Sequence, residues 1–477
     1  MIDCRKRKKS IFRVLTTTLY CVIILPLYHA KVKTAFQDLI FVLQGSSFST
    51  QQAVSAVCFA NKRKSKEQKE KYEVMRMKNY AKITPEGTKD LLFEDCLANR
   101  TVSDMLGNVF SGRGFHEVLT PALEFYDLFE EDVSGIPMES MYKMSDEKGR
   151  LMVMRADSTL PIARMVSTRL QNADKPLRLY YNQRVYRNHL GLTGRSNEVM
   201  EAGVELIGAK GKRADLEVMS TAIEALSACV PDFRIELGHA GFFRALAGKL
   251  PVSPRKREKI RFYIESKNYS ALNSTLDKLP QSPYVDIIRR LPRLFGGIEV
   301  LDEACRLCDD EQALSTLDYV RDIYNSLSKF GLGSRLIIDL GLVQRNDYYS
   351  SIVFSGYVIG SGEPVLIGGR YDNLLDKFDA PAPAIGFGIN VDALSKVMLS
   401  RSSIPPIPKT EVLVHSEEGW EMTAIQYTKT LLQAHINAEN SVFETLDEAL
   451  AYARKKGIRK LTVVGEEIRT MNTEVQS

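Results

Sequence analysis

The sequence predicts an α+β fold: an antiparallel sheet flanked by helices, interrupted by a helical insertion and followed by a small C-terminal α/β domain. Three observations carry this. Residues 177–187 and 197–206 alternate in the period of half-buried strands and are separated by a turn with Gly191 and Gly194. Residues 242–335 are instead mostly helical in pattern and charged, with breaks at Pro251, Pro254 and Pro292. Beyond the linker at 401–410, with Pro405, Pro406 and Pro408, strand and helix patterns alternate over 411–477. The main domain is therefore expected at 78–400, with its insertion at about 242–335.

The composition is that of an ordinary globular protein, 44% hydrophobic and 26% charged. The net charge of +5 is unevenly spread. Residues 1–74 carry 14 Lys/Arg against five Asp/Glu, and the remainder 50 against 54. The main body is thus mildly acidic, which argues against a nucleic-acid binder. Of seven cysteines only Cys305 and Cys308 have metal or redox spacing, and they stand alone in a helical run, as reduced helix-face cysteines do. There is no Walker loop, dinucleotide fingerprint, HExxH or zinc pattern, and no nucleophile elbow, so no cofactor or metal is expected.

Residues 1–77 read as an extension outside the fold. A basic cluster at 5–9 precedes an apolar run at 14–28, the order of a signal or anchor, but the run is short and broken by Thr16–Thr18 and Pro26. The favoured reading is upstream sequence, with the genuine start at Met75 or Met77.

In the body, residues 90–111 have helical periodicity, and 115–121 read as a strand stopped by Pro121. Residues 141–144 and 151–154 form a hairpin around the turn at 145–150. A helix follows at Thr159–Arg169, opened by Pro161 in its first turn. After the long hairpin come a helix at Lys212–Cys229, a strand at 233–237 and a turn at 238–241. The sheet restarts at Leu336–Asp339. Residues 340–372 are two further strands joined by a Gly-rich turn and ending in Gly368-Gly369-Arg370-Tyr371-Asp372. A strand at 384–389 and a helix at 391–399 close the domain. The tail gives strands at 411–415, 437–442 and 460–464 and helices at 419–432 and 446–456.

Candidate site residues are the polar groups that these buried strands should not tolerate unpaired. Asp157, at a strand exit beside Arg155, joins Glu201 and Glu205 as carboxylates suited to an ammonium or imidazole. Arg187 and Arg370 suit a carboxylate or phosphate. Tyr348, Tyr349 and Gln344 come from the 340–372 stretch. An amino-acid-sized zwitterion fits this set, while internal pairing of each charge is the competing reading.

The order of pieces from about residue 80 to 399 resembles the catalytic core of class II aminoacyl-tRNA synthetases, specifically histidyl-tRNA synthetases. The helix and strand ending at Pro121 correspond to the family's first motif and imply a dimer seam. Leu179-Tyr180-Tyr181 through Glu205, with Arg187, corresponds to the second. Residues 344–349 and Gly368–Asp372 correspond to the histidine signature. Three departures matter. Gln344 stands where the signature arginine acts in adenylation, His189 replaces a glutamate that helps hold the nucleotide, and 386–393 lacks the third-motif arginine. Adenylation needs such cations to stabilise phosphate charge.

The combination resembles the ATP phosphoribosyltransferase regulatory subunits, as do Ile83-Thr84-Pro85-Glu86-Gly87-Thr88-Lys89-Asp90 and Gly194-Arg195-Ser196. That resemblance implies no catalysis of its own, a short-form catalytic partner, histidine as effector and a cytoplasmic setting, with neither nucleic acid nor membrane. The tail resembles a shortened anticodon-binding domain, which keeps an active histidyl-tRNA synthetase, or another synthetase paralogue, as the alternative.

Overall fold

The computed structural model describes residues 80–130, 134–189, 195–343 and 348–473. The chain divides into the units Met1–Ile83 and Thr84–Ser477. Of the first, only the 3-10 turn Tyr80–Lys82 and its flank are described, so the expectation for 1–77 lies outside the described residues. All that follows concerns the second.

Helix α1 (Glu94–Gly112) buries Ala98, Val102, Leu106 and Phe110, one face at a spacing of four. It begins later than its periodicity suggests because Phe93 has φ 43, a left-handed backbone that a helix cannot pass through. The strand expected at 115–121 shrinks to β1 (His116–Glu117), parallel to β5 (Leu177–Tyr186). After one more bond, from the Val118 N–H to the Tyr180 carbonyl at 2.8 Å, the ladder ends, since the Thr120 N–H donates to the Gln183 side chain at 3.1 Å instead of to a backbone carbonyl.

Strands β2 (Leu123–Phe125), β3 (Lys143–Ser145) and β4 (Leu151–Met154) form a three-stranded sheet that contains the expected hairpin. Helix α2 (Thr159–Arg169), the long hairpin β5 (Leu177–Tyr186) and β6 (Glu198–Ile207), and helix α3 (Lys212–Cys229) follow as the periodicities predict. Strand β7 (Phe233–His239) passes straight into α4 (Ala240–Gly248), with no intervening turn. The reason is a cap: His239 Nδ1 accepts the Gly241 N–H at 3.0 Å. Helices α5 (Pro254–Glu265), α6 (Tyr269–Leu276), α7 (Pro283–Arg290), α8 (Glu299–Leu307) and α9 (Glu311–Ser328), with the short strand β8 (Phe295–Gly296) between α7 and α8, complete the insertion. Then come β9 (Leu336–Asp339), β10 (Ile352–Val358), β11 (Leu366–Arg370), β12 (Ala384–Asn390) and α10 (Val391–Ser400).

These strands make a nine-stranded sheet in the order β1-β5-β6-β12-β11-β10-β7-β9-β8. Its pairs are antiparallel except β1–β5 and β7–β9. Alternation sends Val204, Leu206, Phe387 and Leu237 to one face, into a core shared with α1, α3 and the insertion. Tyr181, Ile207, Val353 and Ala384 point to the other, into a second core with α2. The polar site lies on this second face.

The tail forms β13 (Val412–Ser416), α11 (Glu421–Gln433), β14 (Ala438–Asn440), α12 (Leu446–Lys456) and β15 (Lys460–Val464). A capping box at Thr445 and Glu448 fixes the start of α12. Three strands escape sequence reading: the short β2 and β8, and β16 (Ile468–Asn472), which is antiparallel to β15, largely exposed and without apolar alternation. Among the described residues no helix is long and apolar enough to cross a membrane, and no His, Cys, Asp and Glu group could hold a metal.

Candidate functional site

Three carboxylates from two elements converge under α2. Asp157 leads into this helix, and its Oδ1 accepts the Leu160 N–H at 3.0 Å. Glu201 and Glu205 share one face of β6, being an even number of residues apart. Glu205 is 1% exposed; its Oε1 accepts the Thr159 hydroxyl at 2.7 Å and its Oε2 accepts the Tyr371 hydroxyl. Glu201 accepts the Tyr181 hydroxyl at 2.9 Å, and Asp157 takes a hydrogen bond from Tyr348. Tyr348 packs edge-on against Tyr371, with ring centroids 5.7 Å apart, and against Tyr349 at 5.0 Å.

Glycines make room for these groups in the sheet. A Cβ on Gly386 would lie 1.8 Å from Glu205 Oε2, and one on Gly369 would lie 2.7 Å from the Tyr349 ring. Only a residue without a side chain lets the carboxylate and the ring lie across β12 and β11.

The pocket holds more acidic groups than basic ones, and burial favours their neutral forms. Burial pushes the Glu205 carboxyl up to about 8, against hydroxyl hydrogen bonds that act the other way. Burial also raises Glu201, helped by the charge of Asp157, and raises Asp157 despite the opposing Arg187. The same burial raises the phenols of Tyr181, Tyr348 and Tyr371. Arg187, 43% exposed, donates to the Ala156 carbonyl at 2.8 Å and lies 3.8 Å from Asp157. Among the described residues, one buried polar atom here has no partner, Gln183 Nε2, on the residue paired with Glu201. Surplus carboxyl groups, one arginine and an orphaned amide suit a small ligand with a cationic centre and an anionic one.

Asp157, Arg187, Glu201, Glu205, Tyr348 and Tyr349 are thus gathered in one region, and Gln344 lies outside the described residues. Two arginines serve the fold instead, Arg370 against expectation. Arg370 projects from the opposite face of β11, where Asp215 of α3 binds it at 2.5 Å and Asp372 at 2.9 Å. Arg155 is a structural clamp: it donates to the carbonyls of Thr120 at 2.5 Å, Pro121 at 3.0 Å and Arg184 at 2.8 Å. Sequence reading missed Thr159, Tyr181 and Tyr371 as pocket groups. Strand alternation held the signal, because Tyr181 shares a face with Leu179 and Gln183, and Tyr371 with Gly369.

At the second- and third-motif positions the residues serve the fold. His189 is held below its ordinary pKa by burial and by Arg195 and Arg187, so it brings no charge at neutral pH. Asp392 accepts from Asn99 at 2.6 Å and from the Met200 N–H at 2.8 Å, tying α10 to α1 and β6. Ser351 lies 3.0 Å from His239 Nε2, but the ring's Nδ1 accepts the Gly241 N–H, so Nε2 carries the proton. This histidine donates to the serine and cannot act as its base.

A profile of the histidyl-tRNA synthetase family matches residues 87–394. An ATP phosphoribosyltransferase regulatory subunit of Clostridium kluyveri is 39% identical over 391 residues, 81% of this chain and all of the relative. One from Bacillus mycoides is 35% identical over 392 residues, 81% of this chain and 92% of the relative. Among solved structures, an ATP phosphoribosyltransferase regulatory subunit/histidyl-tRNA synthetase from Bacillus halodurans superposes with a TM-score of 0.70 at 28% identity, over 80% of this chain and 99% of the other. A histidyl-tRNA synthetase from Nostoc sp. shares the fold, with a TM-score of 0.64 at 19% identity over 82% of this chain and 97% of the other.

Proposed function

This chain belongs to the family of ATP phosphoribosyltransferase regulatory subunits, built on the histidyl-tRNA synthetase fold, and from that premise we propose that it is a non-catalytic, cytoplasmic subunit that binds histidine in the carboxylate pocket and regulates a short-form catalytic partner in the first step of histidine biosynthesis. The observation that carries the reading is an asymmetry of the site. The amino-acid end retains Asp157, Glu201, Glu205 and the tyrosine cluster, whereas the second-motif position holds a neutral His189 and residues 386–393 offer no arginine to a nucleotide. A carboxylate-lined pocket binds a cationic amino acid, but adenylation without phosphate-facing cations has no means of stabilising its transition state.

Self-association through α1 and β1 fits the same reading. A groove of about 400 Å³ is lined by Ser103, Gly107 and Ser111 of α1, Glu117 of β1, and Tyr180 and Asn182 of β5. Strand β1 is one of the two edge strands of the sheet, and Leu119 just beyond it is 74% exposed. Leu119→Glu is expected to turn a dimer into a monomer in sedimentation velocity.

The deciding experiment titrates the purified chain with histidine, assays histidine-dependent ATP–pyrophosphate exchange, and mixes the chain with a short-form phosphoribosyltransferase. Histidine binding, no exchange and activation of the partner are expected. Robust exchange would make the chain a synthetase instead.

A further inference from the structure

Strand β11 separates two buried polar clusters: Arg370, its last residue, reaches one, and Tyr371, the residue after it, reaches the other. On the pocket face, Tyr371 donates to Glu205 and Gly369 seats the Tyr349 ring. On the opposite face, Arg370 donates to Asp215 Oδ1 through Nε at 2.7 Å and Nη2 at 2.5 Å. The other oxygen, Asp215 Oδ2, accepts the hydroxyl of Tyr319, which belongs to α9 of the insertion. Arg370 also donates to the Ala209 carbonyl at 3.2 Å and the Gly211 carbonyl at 3.4 Å, holding the chain that enters α3.

We propose that β11 couples the pocket to the insertion: a ligand that engages Glu205 and Tyr371 is sensed at α9 through Arg370, Asp215 and Tyr319. This rests on the pocket being the ligand site argued above, and it identifies the insertion as the element that reads it. The physical basis is that the Arg370 and Asp215 side chains are 4% and 0% exposed. A buried pair that loses one partner leaves an uncompensated charge. A shift of β11 therefore carries Asp215 and its Tyr319 partner with it. A second tie runs alongside. Arg244 of α4 donates to the Tyr349 carbonyl at 2.5 Å, and His239 packs edge-on against Tyr319, with ring centroids 6.1 Å apart. Ser350 closes the unit, its N–H donating to the Arg370 carbonyl at 2.7 Å and its hydroxyl accepting the Asp372 N–H at 3.0 Å. Arg370, Asp215 and Tyr319 are positioning residues and touch no ligand.

The test is hydrogen exchange of the full chain with and without histidine, beside a calorimetric measure of histidine binding. Tyr319→Phe removes one hydroxyl and keeps the ring against His239. In the wild type, histidine is expected to slow exchange in α9 roughly tenfold, a coupling of the size typical between linked sites. In Tyr319→Phe, histidine should bind within about twofold of the wild type while the α9 response disappears. Asp215→Asn, which keeps the acceptor oxygen but lowers its charge, should give an intermediate response. An α9 response that is absent in the wild type, or equal in Tyr319→Phe, overturns the coupling and leaves the pocket assignment standing. A wild-type chain that binds no histidine overturns both.

Discussion

The pocket at Glu205 and the cluster at Arg370 lie on opposite faces of β11 and treat buried charge in opposite ways. At Arg370 the buried guanidinium cancels the buried Asp215 carboxylate, and every donor is matched, with the part-exposed Asp372 and two backbone carbonyls as further acceptors. At Glu205 three carboxylates face one half-exposed arginine, and burial lifts all three pKa values. A satisfied cluster fixes the backbone around it. An unsatisfied one is kept at a cost to stability, which is what a ligand site demands.

Breaking the satisfied side should have the largest effect. Arg370→Met leaves Asp215 buried and unpaired, and should lower stability by about 3–5 kcal/mol in urea unfolding. Adding Asp215→Leu should restore most of the loss, because a buried pair replaced whole is often close to neutral. No recovery in the double variant would mean that Asp215 does more than neutralise Arg370.

The pocket side sharpens the contrast through pH. Glu205 ordinarily titrates near 4.5 and here near 8. Between those values the folded chain holds a proton that the unfolded chain has released, so stability falls as pH rises through that window and levels off above 8. Glu205→Gln should flatten this dependence and raise stability near pH 8 by a few kcal/mol, on the order of 1.4 kcal/mol for each pKa unit removed. Above pH 8, where Glu205 is ionised, it should also weaken histidine binding at least about tenfold, since a charge-assisted contact is lost. An unchanged pH profile would show that Glu205 is not the group that titrates.

Arg155 tests whether a buried arginine beside the pocket belongs to the first type. Lysine cannot span the three carbonyls that Arg155 holds, so Arg155→Lys should lower stability by about 2 kcal/mol in urea unfolding. The smallest stability effect is expected at Arg187, where solvent screens the pair with Asp157. Arg187→Met should change stability by less than about 1 kcal/mol. Its effect should appear instead in calorimetry, as a loss of histidine affinity of about tenfold.

Much of this was legible in the chain. Helices at Thr159–Arg169, Lys212–Cys229 and Leu446–Lys456 and strands at Leu336–Asp339 and Lys460–Val464 begin and end where their periodicity says. Their cores are strongly patterned and their ends carry Pro, Gly or a capping residue. Failures came where a single backbone or side-chain event overrode the pattern: Phe93 at positive φ delays α1, Gln183 captures the Thr120 N–H, and His239 caps α4 without a turn.

The sequence by itself determined most of the strands, the helical insertion, the glycines and the set of carboxylates and tyrosines, because these follow from local periodicity and residue type. Only the tertiary structure decided which charges meet. Arg370 and Tyr371 are neighbours in the phrase that ends the signature stretch, yet the pleat sends one toward Asp215 and the other toward Glu205. The partners of each come from residues 155 and 166 positions away, a distance over which local pattern carries no information and packing alone sets the pairing.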